Sequence, residues 1–204
     1  MRRTKEDAEN IRQTILDAAE ALFFTNGVSR TSLEMIARDC GVTRGAVYWH
    51  FKDKAQLLRE LFDRIRIPLD KVNQQLLADG EGDCLMRLYE LCVECMEKFV
   101  QPGRERRVMT ILVHRYELTQ DIHEFEQREN ALTREFVALL ERLFDGQQQR
   151  LQVGITPRSA SLQLHSFFFG TLASILRDRE VFEPLLDVRL TFNLYFRSLV
   201  KDWS

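Results

Sequence analysis

The stretch TSLEMIARDCGVTRGAVYWHFKDKAQLL, residues 31–58, decides how the N-terminal part of the chain folds. Its first apolar residues recur at intervals of three and four positions, which predicts a helix. Gly41 interrupts this pattern, and a second short helix is predicted over residues 43–50, with Val47 and Phe51 on its buried side. Two short helices joined by a glycine-containing turn predict a helix-turn-helix arrangement.

Further helices are predicted on both sides of this arrangement. The preceding segment has an apolar stripe of helical period and stops at Gly27, because glycine adopts the left-handed conformation that ends many helices. One capping box is predicted with Thr31 as the cap of the second helix. Another starts at Asp53 and opens a fourth helix, which is predicted to run to Ile65.

Helical periodicity continues beyond Pro68, and no alternation typical of strands occurs. The further helices are predicted over residues 84–100, 104–117, 120–144, 157–178 and 184–200. The sequence therefore predicts an all-α protein of about nine helices. We expect a three-helix N-terminal domain over residues 1–66 and a larger helical domain over residues 67–204.

Composition limits the function further. The chain has 204 residues and is 45% hydrophobic, enough for a substantial core. It contains no apolar run of about 18 residues and no apolar stretch after its basic N-terminus, so we expect a cytoplasmic protein. Its four cysteines are expected as reduced thiols, because no secretory signal accompanies them.

Charges and aromatic side chains of the N-terminal part indicate DNA binding. Residues 1–66 hold 12 Lys and Arg against 10 Asp and Glu, although the whole chain has a net charge of −2. The second helix of the helix-turn-helix leaves Tyr48 and Trp49 outside, where exposed rings cost solubility unless DNA covers them. Gly45 weakens a helix by roughly 1 kcal/mol relative to alanine, but its missing side chain permits close approach to a groove. Packing of the two rings against the C-terminal domain is the alternative.

The quoted stretch resembles the DNA-binding signature of the TetR family of bacterial repressors. The segment RRTKEDAENIRQTILDAAEALFFTNGV, residues 2–28, resembles that family's first helix and basic arm, and TRGAVYWHFKDK, residues 43–54, is similar to its multidrug-efflux branch. The resemblance implies a homodimer that binds a near-palindromic double-stranded DNA operator through two recognition helices in successive major grooves.

The resemblance also implies roles for individual residues. Thr43 and Arg44 would read base edges, while Gly45 and Ala46 would allow the backbone to approach DNA. The implied phosphate contacts are Tyr48, Trp49, His50, Thr31 and Lys54. Near the N-terminus, Arg2, Arg3 and Lys5 would follow the DNA backbone or enter the minor groove. His50 is equally expected as a solvated helix end.

The C-terminal helices suit the two roles that the resemblance implies for them, a ligand cavity and dimerisation. Met109 and Val113, in the segment VMTILVHRYELT of residues 108–119, are predicted cavity-wall residues. Adaptable or apolar side chains supply the further candidates, which are Leu88, Cys92, Met96, Phe136, Leu139, Phe168 and Leu172. A closed core is the alternative for each. The last two predicted helices are apolar on more than one face, so a partner subunit is expected to cover them, with Phe196 in the interface. A place for Phe196 in the core of its own chain is the alternative.

These expectations combine into a dimeric transcriptional repressor of a multidrug efflux system that small hydrophobic compounds release from DNA. No catalytic residue, cofactor or metal is expected, because no nucleophile–base signature, phosphate-binding glycine loop or HExxH motif occurs. A redox-responsive DNA-binding regulator that uses Cys92 and Cys95 is one alternative. An enzyme or carrier whose N-terminal helices are merely structural is another.

Overall fold

The computed structural model describes residues 5–77, 83–115, 123–178, 180 and 187–203, so the predicted contacts Arg2 and Arg3 lie outside it. Ten α-helices lie within the described residues. They are α1 (Lys5–Asn26), α2 (Leu33–Asp39), α3 (Arg44–His50), α4 (Lys54–Asp63), α5 (Leu69–Leu77), α6 (Cys84–Val100), α7 (Arg104–Thr110), α8 (His123–Asp145), α9 (Pro157–Arg177) and α10 (Val188–Leu199). A single antiparallel bridge, between Leu151 and Val200, is the strand-type pairing in these ranges. The predicted all-α fold is confirmed.

The chain forms two compact units. The first unit combines Met1–Arg66 with Gly103–Glu129, and the second combines Ile67–Pro102 with Asn130–Ser204. Residue 66 thus ends the first segment of the first unit, while Gly103–Glu129 returns to that unit from the C-terminal part of the chain. The assignment of DNA binding and ligand binding to residues 1–66 and 67–204 stays a prediction.

One hydrophobic core holds the first unit together. Phe23 of α1 and Phe51 after α3 are both fully buried in it, and burial of a side chain of this size stabilises by about 1.5–3 kcal/mol. Val108, Ile111 and Phe125 belong to the same core. The helix-turn-helix therefore shares one core with α1, α4, α7 and the first turn of α8.

Side chains fix where the short helices begin. Ser32, Thr43 and Asp53 cap α2, α3 and α4, and the three cap bonds to backbone amides measure 3.2, 3.1 and 2.8 Å. The predicted cap at Thr31 is wrong by one residue. Thr31 is 1% exposed and donates its hydroxyl to the carbonyl oxygen of Gly27 at 2.8 Å, so it ties the α1–α2 loop together from inside.

The segment around Pro68 also differs from the prediction. α4 ends at Asp63 instead of Ile65, and α5 was not predicted at all. The carbonyl of Pro68 accepts a hydrogen bond from the amide of Val72 at 3.1 Å. Proline thus starts a helix here, a position it tolerates because the first amides of a helix need no internal partner.

The second unit packs around α6, which contacts α5, α9 and α10. Phe167 of α9 stacks on Tyr195 of α10 with ring centroids 4.3 Å apart. Phe196 is fully buried, and its ring contacts Tyr89 and Trp203 at 5.7 and 4.9 Å. The prediction that Phe196 lies in a dimer interface is therefore wrong, because this ring belongs to the core of its own chain.

No described helix combines the length and the apolar character that crossing a membrane requires.

Candidate nucleic-acid interface

Gly41 makes the turn between α2 and α3. Its φ of +67° lies in the left-handed region, and its amide donates to the carbonyl of Arg38 at 3.3 Å. The next amide, of Val42, donates to the carbonyl of Ala37 at 3.0 Å. These bonds close the end of α2 in the manner of a glycine C-cap, and only glycine adopts this conformation without strain.

α3 separates a buried face from an exposed one. Val47 and Phe51 are fully buried, whereas Tyr48 is 46% and Trp49 is 73% exposed. The first unit therefore leaves both rings uncovered. Large aromatic side chains that lack cover indicate a surface that another molecule contacts.

Arg44 stands at the start of α3 and is held from two sides. Its guanidinium lies 2.8 Å from Oε1 of Glu34 on α2. The same group lies over the ring of Tyr48, 5.3 Å from the centroid, and one nitrogen approaches the Tyr48 hydroxyl at 3.5 Å. The hydrogen bond to Tyr48 and the nearby Glu34 carboxylate raise the pKa of Arg44, which remains charged and solvent-accessible.

Gly45 has no internal reason to be glycine. A Cβ atom there would meet only the Thr43 hydroxyl, at 3.9 Å, and its φ lies outside the left-handed region. An alanine would fit the fold and favour the helix. The structure therefore leaves space at Gly45 in which another molecule could approach the backbone.

A shallow groove of about 560 Å³ runs beside this face, between the start of α2 and the start of α4. Three basic side chains, Arg30, Lys52 and Lys54, line it together with three acidic ones. The ammonium of Lys54 donates to the carbonyl of Val28 at 3.2 Å. Arg30 and Lys52 are exposed and were missed in the sequence, although each stands within two residues of a helix cap, where backbone amides also face outward.

Most predicted DNA contacts that the structure describes share this surface. Those on or beside α3 are Thr43, Arg44, Gly45, Ala46, Tyr48, Trp49 and His50. Lys54, at the start of α4, lines the same groove as Tyr48. His50 is half-buried and meets the edge of the Trp49 ring at 4.4 Å. Lys5 is exposed at the start of α1. Thr31 also lines the groove, but it is buried and its hydroxyl donates to the carbonyl oxygen of Gly27, so its role in DNA binding stays a prediction.

The predicted cavity residues fall in both units. Met109, which is 3% exposed, and the half-buried Val113 belong to the first unit. The other seven belong to the second unit; Leu88, Cys92, Met96, Leu139 and Leu172 are buried, and Phe136 and Phe168 are half-buried. Burial fits a cavity wall and a closed core equally well, so these assignments stay predictions.

The segment that contains Val113 departs from the regular helix predicted over 104–117. α7 ends at Thr110 and continues as a π-helical turn over Ile111–Arg115. Such turns are rare and occur preferentially at functional sites. No feature of the sequence signals this turn.

The cysteine pair does not look like a reactive site. Burial raises the pKa of the Cys92 thiol far above its usual range and that of Cys95 to about 11. Because the thiolate is the reactive form, both groups are poor nucleophiles at neutral pH. Within the described residues, no three His, Cys, Asp or Glu side chains gather where they could hold a metal ion.

A glycine turn, an exposed second helix and capped helices around them make this a helix-turn-helix protein. A family model described as bacterial regulatory proteins, tetR family, matches residues 15–61. The HTH-type transcriptional regulator AcrR of Shigella flexneri is 32% identical over 190 residues, which cover 92% of this chain and 88% of AcrR. The chain belongs to the TetR family of bacterial regulatory proteins.

A second relative matches over a shorter region. The HTH-type transcriptional regulator TtgR of Pseudomonas putida is 40% identical over 133 residues. The match covers 65% of this chain and 63% of TtgR, so the chain spans less than two thirds of the length of that relative.

Two solved structures resemble nearly the whole chain. NalD, the secondary repressor of the MexAB-OprM multidrug efflux pump in Pseudomonas aeruginosa, is 44% identical with a TM-score of 0.91, and the match covers 98% of this chain and 100% of NalD. SmeT is the repressor of the Stenotrophomonas maltophilia multidrug efflux pump SmeDEF. The SmeT chain in its complex with triclosan is 29% identical to this chain and has a TM-score of 0.78. The match covers 94% of this chain and 92% of SmeT.

Proposed function

We propose that this chain is a homodimeric transcriptional repressor that controls a multidrug efflux system and leaves its operator when a small hydrophobic compound binds. The observation that carries the proposal is the exposed face of α3. Arg44, Tyr48 and Trp49 are accessible to solvent there, and Gly45 has no side chain that would keep another molecule away from the backbone. As bacterial DNA lies in the cytoplasm, we also place the protein there.

DNA binding would use two kinds of contact. Arg44 carries a planar fork of donors that suits the O6 and N7 atoms of guanine in the major groove. Tyr48, Lys52 and Lys54 line the neighbouring groove, and Trp49 is exposed on α3. These positions would suit sugar and phosphate contacts, which fix register and carry no sequence information directly. Because one α3 reads only a few base pairs, a near-palindromic operator requires two copies of the chain.

An uncovered apolar surface on α9 and α10 would supply the second copy. The exposed large hydrophobic side chains there are Leu162, Phe169, Leu190 and Leu194. A Cβ added at Gly170 would meet nothing of its own chain, so a neighbouring helix could approach closely at that point. A two-fold interface would remove these side chains from water.

Release by an effector requires that the compound binds the released state better than the DNA-bound state. We propose that adaptable Met and Cys side chains, among them Cys92 and Met96 of the second unit, admit varied hydrophobic compounds. The likeness to SmeT, solved with triclosan, and to NalD, a repressor of an efflux pump, supports this choice of ligand and of regulated system.

The connection between α6 and α7 offers a route for the signal. Only three residues, Gln101 to Gly103, separate the two helices in the chain. Arg104 and Arg107 of α7 both bond to the buried carboxylate of Glu20 on α1. A shift of α6 on ligand binding would thus pass through α7 to the helix that packs against α2 and α3.

The DNA-binding part is tested by fluorescence anisotropy with duplexes from upstream of the protein's own gene and of neighbouring efflux genes. We expect tight binding to one near-palindromic duplex and weak binding to random DNA. Equal binding to all duplexes, or none at low salt, would favour the alternative in which the N-terminal helices are only structural.

The effector part is tested by titration calorimetry with hydrophobic antimicrobial compounds, triclosan among them, with and without operator. Linkage requires that operator weakens ligand binding by the factor by which ligand weakens operator binding. Met109→Trp should weaken the ligand and leave DNA affinity nearly intact. Ligand affinity that operator does not change would contradict release by an effector.

A further inference from the structure

Glu34 of α2 and Arg44 of α3 form an ion pair. This ion pair joins the two helices across the helix-turn-helix on the surface proposed to face DNA, and Oε1 of Glu34 lies 2.8 Å from Nη1 of Arg44. Both side chains remain accessible, 47% for Glu34 and 62% for Arg44. An exposed ion pair of this kind adds little to stability, and an acid in the first turn of α2 adds only about 0.3–1 kcal/mol through the helix dipole. The fold therefore gives only a weak reason for an acid in a position proposed to face DNA.

The geometry leaves Arg44 able to bind a base while paired. A guanidinium has five N–H donors, and Glu34 accepts at one nitrogen while Tyr48 lies 3.5 Å from the other terminal nitrogen. The ring of Tyr48 supports the flat face of the group at 5.3 Å. These contacts restrict a long, flexible side chain before DNA arrives, which reduces the entropy that binding must remove.

The charge of Glu34 distinguishes between the two partners that Arg44 could meet on DNA. A guanine edge is neutral and can lie beside a carboxylate, whereas a phosphate bears a negative charge that Glu34 repels. A phosphate contact would therefore require Arg44 to leave Glu34 or bring two anions together. Juxtaposed like charges suppress wrong partners more than they weaken the right one.

We propose that Glu34 is a positioning residue for specificity: it holds Arg44 for a base edge and keeps it from phosphates. The inference rests on the proposed function, since it requires an operator. Random DNA binds almost entirely through phosphates. Glu34 therefore lowers the affinity for random DNA more than it lowers the affinity for the operator. Its loss raises random-DNA affinity and relaxes sequence preference together.

The experiment measures dissociation constants for two duplexes across a range of salt concentrations. One is the duplex that the wild-type protein selects from a random pool, and the other is a scrambled duplex of the same length. The variants are Glu34→Gln, Arg44→Ala, the double variant, and Asp39→Asn as matched control. Asp39 is an exposed carboxylate at the other end of α2, so its amide removes the same charge without touching Arg44.

We expect the ratio of scrambled to selected dissociation constants to fall roughly tenfold in Glu34→Gln, the size of one base contact. The pool selected by this variant should relax at one base pair per half-site, and Asp39→Asn should keep the wild-type ratio. In the Arg44→Ala background, Glu34→Gln should leave the ratio unchanged. The same ratio change in Glu34→Gln and Asp39→Asn, or a full effect of Glu34→Gln without Arg44, would overturn the inference. Wild-type protein that selects no duplex would instead refute the proposed function.

Discussion

Glu20 and Arg107 form an ion pair inside the first unit, with Oε1 of the carboxylate 2.7 Å from Nε of the guanidinium. Arg104 donates to the other carboxylate oxygen at 3.2 Å. Glu20 is only 3% exposed, so water cannot replace these donors. The carboxylate therefore fastens the start of α7 to the middle of α1.

Glu20→Gln should lower the free energy of unfolding by about 1–2 kcal/mol. Breaking a buried pair costs about 3–5 kcal/mol, but Arg104 and Arg107 are each 44% exposed and can be rehydrated, which reduces the loss. Glu9→Gln, at a more exposed carboxylate of the same helix, is the control. Urea denaturation followed by circular dichroism measures both, and equal midpoints for the two variants would contradict a structural role for Glu20.

Arg44→Ala should weaken operator binding roughly tenfold to a hundredfold and relax preference at one base pair per half-site. The reason is the loss of two donors to a base edge, an interaction that random DNA does not provide. Arg30→Ala removes an exposed arginine at the neighbouring groove and should weaken both kinds of DNA alike. Competition binding measures the ratio, and an equal loss on operator and random DNA in Arg44→Ala would exclude base reading.

Lys54→Ala should weaken binding to every duplex and reduce the slope of log affinity against log salt by about 0.9 for each phosphate that the side chain no longer neutralises. It should also cost some stability, because the ammonium bonds to the Val28 carbonyl. Lys98→Ala, at an exposed lysine of the second unit, is the control with an unchanged slope. A wild-type slope in Lys54→Ala would place this side chain away from the DNA backbone.

Leu194→Glu and Phe196→Glu should have different outcomes although they stand two residues apart. Leu194 is 57% exposed on α10, so its glutamate should prevent dimerisation and leave the chain folded. Phe196 is fully buried, so its glutamate should unfold the chain. Light scattering and circular dichroism decide the outcome. A folded Leu194→Glu variant that stays dimeric would remove α10 from the interface.

Asp83 should make the second unit sensitive to acid. Its carboxylate accepts two hydrogen bonds of 2.7 Å from Arg150 and caps α6, and the bond with Arg150 holds the pKa of Asp83 below the ordinary 3.8. A lowered folded-state pKa stabilises the fold above the unfolded-state pKa, and this contribution disappears as pH falls through the folded-state value.

Asp83→Asn should therefore be less stable than wild type at pH 7 by about 1 kcal/mol. Near pH 2 the difference should shrink, because wild-type Asp83 is then increasingly protonated. Asp145→Asn, at an exposed acid that ends α8, is the control. Urea denaturation at several pH values measures the difference, and a gap that stays constant from pH 7 to pH 2 would contradict the role of the charge.

Most helices could be predicted because their apolar residues recur with helical period. Cys84–Val100 matches the predicted 84–100, and Gly27 and Gly41 have the positive φ that their places at helix ends suggested. Failures occurred where one local rule allows two outcomes. Thr31 and Ser32 both suit a cap, and only packing of Thr31 into the fold leaves the cap to Ser32.

The candidate site could be predicted only in part. The predicted residues on α3 are consecutive in the sequence, so helical periodicity alone predicts that Val47 is buried and Tyr48 is exposed. The pairing of Glu34 with Arg44 joins residues ten positions apart through the packing of α2 on α3, which no local pattern encodes. The same limit applies to Phe196 and Leu194, since both are apolar and only the folded second unit shows which one is covered.

The assembly of the first unit from two separated stretches of chain constrains how such regulators can be recombined. A chimera that grafts residues 1–66 onto the sensing part of another regulator would leave Phe23 and Phe51 without Val108, Ile111 and Phe125, their companions in the core. It would also separate Glu20 from both of its arginines. A biosensor built from this scaffold should therefore take residues 103–129 from the same parent as its DNA-reading helices. Otherwise both sides of the core that these two segments share would have to be redesigned.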